Sequence, residues 1–166
     1  MLTIAMTGDL HYPLLPADDE ELNAARDAFF EGFFNEFLNT KADVHLSLGD
    51  TTHRGLLEEY AAVQRYVERA PVHFRHLFGN HDVMSLPKQT LLQSVRAEQC
   101  GRMEADEAML LFLDTTKELE LSGWGLDSQQ WHWLEEQIER CRDKPLLVYT
   151  HHPVPGTTEP FLSEGR

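Results

Sequence analysis

Val72-His73-Phe74-Arg75-His76-Leu77-Phe78 runs directly into Gly79-Asn80-His81-Asp82, and the reading of this junction decides the fold. A short, largely apolar run closed by Gly predicts a buried strand that breaks into a loop. Gly tolerates backbone conformations that a Cβ forbids, so the polar groups behind it can be aimed back over the strand end. Taken alone, Asn80 and Asp82 could simply satisfy a turn by hydrogen-bonding their own backbone. The pattern, however, recurs.

Leu2 to Gly8 leads to Asp9, with His11 two places on; Val44 to Gly49 leads to Asp50; Pro145 to Thr150 leads to His151-His152-Pro153. Each run of strand length delivers an oxygen or imidazole ligand at its C-terminal end, where an open parallel sheet forms its binding crevice. Four such ends could gather Asp9, His11, Asp50, Asn80, His81 and His151. Carboxylate, amide oxygen and neutral imidazole without thiolate suit a divalent ion such as Mn, Fe, Co or Zn and select weakly among them.

The chain has 166 residues, is 42% hydrophobic and 10% aromatic, and reads as one globular domain spanning 1–166. With 14 Lys and Arg against 28 Asp and Glu, the net charge of −14 argues against binding a nucleic acid polymer or an anionic membrane. A phosphate-bearing substrate would then depend on bound cations for attraction. No apolar run approaches the roughly 20 residues of a membrane span. The N-terminus enters the Asp9 strand with no basic region or small-residue cleavage site, which predicts no removable signal peptide and a cytoplasmic location. Cys100 and Cys141 read as reduced thiols, with a single disulfide left open.

Between the strand ends, Asp18 to Thr40 has helical period: Leu22, Ala25, Phe29, Phe33 and Phe37 form one row, with Phe30, Phe34 and Leu38 beside it. Further helices are predicted at about 56–69, 88–97 and beyond Asp127, the last with Trp131, Leu134, Ile138 and Cys141 inward. Asp127 with Gln130 makes an N-cap and capping-box pattern. Cys100-Gly101 reads as a turn, and Ala108 to Leu113 as a strand ending in Asp114. This alternation implies an α/β fold with βαβ units and a parallel sheet. His45, His73, His76 and His132 lie within strand or helix patterns and read as structural.

Asp9-x-His11, Gly49-Asp50, Gly79-Asn80-His81-Asp82 and Thr150-His151-His152-Pro153, in this order, resemble the first four signatures of calcineurin-like metallophosphoesterases. Gly125 to Leu134 also resembles the branch of small bacterial phosphodiesterases that hydrolyse cyclic nucleotides and glycerophosphodiesters. The resemblance implies a four-layer α/β/β/α sandwich and a centre of two divalent metal ions. Asp9 and His11 would bind the first ion, Asp50 would bridge, and Asn80 and His151 would bind the second. His81 resembles the family's catalytic histidine, which contacts the phosphoryl oxygen or protonates the leaving group. The implied activity is hydrolysis of a small phosphodiester, with phosphomonoester hydrolysis or an inert scaffold of the same fold as alternatives.

Two departures from the family pattern matter. The Gly-His-x-His signature, which gives each metal an imidazole, does not occur in these residues, so the sandwich is expected to lack its C-terminal part. A complementary fragment or subunit would then supply the missing ligands. His53 stands where related phosphatases place an Asp beside the catalytic histidine, leaving open whether it supports a ligand from behind, ligates directly or is a loop residue. Arg54 and Asp82 could be ion-paired loop residues or supports for the site, and His152 is expected near the substrate.

Overall fold

The computed structural model describes residues 1–95, 98–117, 123–141 and 143–154. Three strands, β1 (Ile4–Thr7), β2 (Val44–Ser47) and β3 (Phe74–His76), pair in parallel in the order β1-β2-β3. Their crossovers carry helices α1 (Glu20–Asn39) and α2 (Leu57–Val67). Helix α3 (Lys88–Ser94) then leads to β4 (Cys100–Glu104) and β5 (Met109–Leu113), and α4 (Ser128–Arg140) leads to β6 (Leu146–Tyr149). The second sheet has the order β4-β5-β6, with β4 antiparallel and β6 parallel to β5.

The turn expected at Cys100-Gly101 is therefore the start of a strand, and the sheets are not wholly parallel. Only four residues separate β4 from β5, and Ala105 N–H donates to the Ala108 carbonyl at 2.9 Å across that turn. A connection this short permits only antiparallel pairing.

The period-two geometry of a strand divides β5 between two cores. Leu110 and Phe112 face Val44, Leu46 and Leu77 of the first sheet; Met109, Leu111 and Leu113 face Leu134 of α4. On the far side of the first sheet, Phe30, Phe34, Phe37 and Leu38 of α1 meet Ala62, Val63 and Val67 of α2. The result is the four-layer α/β/β/α order, with β2 and β5 buried along their whole lengths.

Two helix faces differ from the periodic reading. On α1 the predicted row splits: Leu22, Ala25 and Phe29 lie outward, with Phe29 62% exposed, whereas Phe37 joins Phe30, Phe34 and Leu38 in the buried face and Phe33 packs against it. On α4, Trp131 and Ile138 are about half exposed, while Gln130 and Gln137 are buried. Gln130 donates to the Asp114 carbonyl at 2.8 Å and accepts from Asp114 N–H at 3.0 Å, so its amide continues the hydrogen-bonding edge of β5. Asp127 does cap α4 by accepting from Gln130 N–H at 2.8 Å, but the Gln130 side chain does not close a capping box. Cys100 and Cys141 are free thiols. Among the described residues no helix is long and apolar enough to cross a membrane.

Candidate metal centre

The loops after β1, β2, β3 and β6 meet over the C-terminal ends of both sheets. The first two are zipped together by backbone: Asp9 N–H donates to the Gly49 carbonyl at 3.0 Å, His11 N–H to Asp50 at 2.9 Å and Tyr12 N–H to Thr51 at 2.9 Å. In return, His53 N–H donates to the Tyr12 carbonyl at 3.0 Å. Asp9, His11 and Asp50 all have left-handed backbone, with φ of 54°, 47° and 51°. Such conformations cost a non-Gly residue roughly 1–3 kcal/mol and persist where the surroundings over-determine them. Here the zipper does so.

Asp50 is the centre of the arrangement and is 4% exposed. Its Oδ1 accepts from His81 N–H at 2.8 Å. Its Oδ2 lies 3.7 Å from Nε2 of His11 and 3.7 Å from Nε2 of His151, beyond hydrogen-bond range on both sides. Donors sharing an ion at about 2.0–2.2 Å stand roughly 3–3.7 Å apart, so this spacing suits cation ligation better than direct pairing. His151 Nδ1 lies 2.9 Å from the Leu48 carbonyl, which can only accept, so Nδ1 carries the proton and the Nε2 lone pair faces Asp50. His11 Nδ1 is buried with no hydrogen-bond partner among the described residues. Ligand atoms of Asp9, His11 and Asp50 lie within 4.8 Å of one another. This donor set of carboxylates and imidazoles fits a divalent ion.

The remaining expected residues fall around this core. Asn80 is exposed, between the buried Gly79 and half-buried His81. The His81 ring stands edge-on to His11 at 4.4 Å, and its Nδ1 lies 2.8 Å from the His53 carbonyl. The backbone of residue 53 thus orients the His81 ring, and the His53 side chain is exposed. Arg54 is also exposed, with its N–H held by Glu59 Oε2 at 2.9 Å. His152 stacks on Trp124 at 5.2 Å and pairs with Thr115 Oγ1 at 2.9 Å. Burial, reinforced by His151 and Lys88, pushes the His152 imidazole down to about 4, so it is neutral near pH 7.

Several supporting residues gave no signal in the sequence. Glu59 is fully buried on α2 and accepts from Leu14, Arg54 and Leu56 N–H groups, tying the loop that carries His53 to the helix. Lys88 pairs with Asp114 at 2.9 Å and donates to the Thr116 carbonyl at 2.6 Å, fixing the loop beside His152. Asp82, which the sequence left open between an ion-paired loop residue and a support for the site, is fully buried and receives four hydrogen bonds from Thr51, Thr52 and Gly79.

Glycine is required where these loops touch. A Cβ on Gly49 would lie 2.6 Å from His151 Nδ1 and 2.7 Å from Gly79 N, and Gly49 has φ of 109°. Gly49→Ala is expected to weaken divalent-ion affinity roughly 10–100-fold by displacing the His151 ring, as read by titration with Mn2+.

The sequence profile of the Calcineurin-like phosphoesterase family matches residues 2–165. A probable glycerophosphodiester phosphodiesterase GpdQ from Arcobacter nitrofigilis is 29% identical over 120 residues, covering 70% of this chain and 44% of that protein. The glycerophosphodiester phosphodiesterase GpdQ of Enterobacter lignolyticus is 28% identical over 127 residues, with the same coverage. The chain thus spans 44% of the length of these curated relatives. The crystal structure of a dimetal phosphatase from Danio rerio superposes with a TM-score of 0.69 at 14% identity, over 92% of this chain and 70% of the other, which shows a shared fold. With its family profile matched over nearly the whole chain, the protein belongs to the calcineurin-like phosphoesterases.

Proposed function

We propose that the chain carries the metal centre of a phosphoesterase that hydrolyses a small phosphodiester. One observation supports this above others: a buried carboxylate, Asp50, stands between two imidazole Nε2 atoms at 3.7 Å each, while its other oxygen is held by His81 N–H. Asp9, His11 and Asp50 would hold one ion, and Asp50, Asn80 and His151 a second. Divalent ions held there would lower the pKa of a water and neutralise charge on phosphoryl oxygens. With a net charge of −14, the chain supplies little other attraction for a phosphate ester. The exposed Arg54, next to His53 in the chain, is suited to adding a positive charge beside the site.

His81 is the residue for the leaving group. Its Nδ1 proton is committed to the His53 carbonyl, which leaves Nε2 to carry the transferable proton when the ring is charged. Protonation of a departing alkoxide by that nitrogen lowers the barrier to P–O cleavage. His81→Ala is expected to lower kcat about 10²–10⁴-fold while bound Mn2+ survives, as read by turnover and by metal analysis on the same sample. Loss of Mn2+ in that variant would make His81 a ligand of this centre instead.

The diester preference rests on likeness to the GpdQ relatives. Assays with bis(p-nitrophenyl) phosphate and p-nitrophenyl phosphate in the presence of Mn2+ test it. Diester turnover supports the reading; monoester-only turnover replaces it with phosphomonoester hydrolysis; neither turnover nor bound metal overturns it in favour of an inert scaffold.

A further inference from the structure

A second set of donors stands at the mouth of the centre, made wholly of imidazoles. One ring nitrogen from each of His11, His53 and His81 lies within 4.8 Å of the others. His11 meets the other two rings edge to face, with centroids 4.4 Å from His81 and 6.0 Å from His53, and the His53 and His81 rings are tilted at 33° with centroids 5.7 Å apart. His81 is oriented by its Nδ1 contact to the His53 carbonyl, so the nitrogen it can offer is Nε2.

From this juxtaposition we propose that His11, His53 and His81 form an alternative cation site, overlapping the carboxylate centre at His11 and selective for borderline ions such as Cu2+ and Zn2+. Three neutral imidazoles and no carboxylate match Cu2+ or Zn2+ and compete poorly for Mn2+, Mg2+ or Ca2+. Nitrogens around such an ion at about 2.0–2.1 Å stand roughly 3.3 Å apart, so the cluster must close by about 1.5 Å at most. The His53 ring is exposed and can make that movement without disturbing the backbone contacts that residue 53 makes to Tyr12 and His81.

The site shares His11 with the Asp9-His11-Asp50 set. An ion held by the three imidazoles therefore draws His11 from the carboxylate centre and blocks His81 Nε2. On the hydrolase reading above, Cu2+ or Zn2+ acts here as an inhibitor of Mn2+-supported turnover.

The test is a titration of the metal-stripped protein with Cu2+ alone, followed by electron paramagnetic resonance, which counts coordinated nitrogens. The first equivalent is expected to give a three-nitrogen pattern in the wild type and in Asp9→Asn. In both His53→Ala and His53→Gln the pattern should lose one nitrogen and the affinity should fall at least about tenfold, with the circular dichroism spectrum unchanged. A three-nitrogen pattern that survives in both His53 variants, or that vanishes in Asp9→Asn, overturns the proposal. Mn2+-dependent diester turnover on the same preparation separates the two readings. Turnover without the three-nitrogen signal overturns only this site, whereas the signal without turnover overturns only the hydrolase.

Discussion

On the reading proposed above, Asp50→Asn is expected to abolish retention of divalent metal and to lower diester turnover at least about 10³-fold, equivalent to roughly 4 kcal/mol of lost transition-state stabilisation. The substitution isolates charge from shape. Asn has the volume of Asp, accepts the left-handed backbone found at this position and can still receive the His81 N–H through its amide oxygen. What it loses is the negative charge and the second oxygen, the atom that lies 3.7 Å from both His11 and His151. A neutral amide cannot balance the charge of a divalent ion in a buried site, and its NH2 group cannot ligate at all. The metal-free protein should unfold within a few degrees of the wild type, because the hydrogen bond to His81 remains. Metal analysis after dialysis, together with a thermal melt, reads both effects. Stoichiometric metal in Asp50→Asn would remove Asp50 from the centre.

The same residue shows which parts of the site the sequence discloses. Asp50, Asp9, His11 and His151 each follow a run of strand length, and a parallel strand delivers its C-terminal residue to the crevice whatever the surrounding packing. Their convergence is thus legible from order alone. The zipper that holds them is not, because it is made of backbone groups: Asp9, His11 and Tyr12 N–H donating to Gly49, Asp50 and Thr51 carbonyls carries no side-chain signature. The same holds for His81, whose ring is held by the His53 carbonyl, a backbone group that any residue at position 53 would supply.

Element errors have related causes. Strand β4 reads Cys-Gly-Arg-Met-Glu, with a Gly and two charges that break any apolar run, and its pairing with Leu113 to Met109 makes it a strand. The inward face of α4 includes Gln130 and Gln137, which a hydrophobic pattern assigns to solvent. Gln130 is drawn in by the Asp114 backbone, and Gln137 by Arg102, whose Nη1 donates to it at 2.9 Å. On α1, five Phe residues fall within the nine positions from Phe29 to Phe37, so adjacent rows look equally apolar; the contact with α2 decides that Phe30 and Phe34 turn inward and Phe29 outward.

Asp82→Ala is expected to cost about 3–5 kcal/mol of folding stability. Its carboxylate is fully buried and accepts Thr52 N–H at 2.9 Å, Thr52 Oγ1–H at 2.7 Å, Thr51 N–H at 3.2 Å and Gly79 N–H at 3.0 Å. Alanine strands three backbone donors in a dry site, each worth about 1–3 kcal/mol when unsatisfied, although relaxation makes the losses less than additive. At roughly 2–4 °C per kcal/mol for a domain of this size, the melting temperature should fall by about 6–20 °C. Asp82→Asn should lose about half as much, since its oxygen can serve one pair of donors while its NH2 confronts the other. Because Asp82 joins the Asp50 loop to the Gly79 loop, the loosened site must be rebuilt by any ion that binds it. Mn2+ should therefore raise the melting temperature of Asp82→Asn less than that of the wild type at equal concentration, through weaker affinity. A loss below about 1 kcal/mol in Asp82→Ala, measured by urea unfolding, would mean that water or a shifted side chain satisfies those donors and that the two loops hold their geometry without this carboxylate.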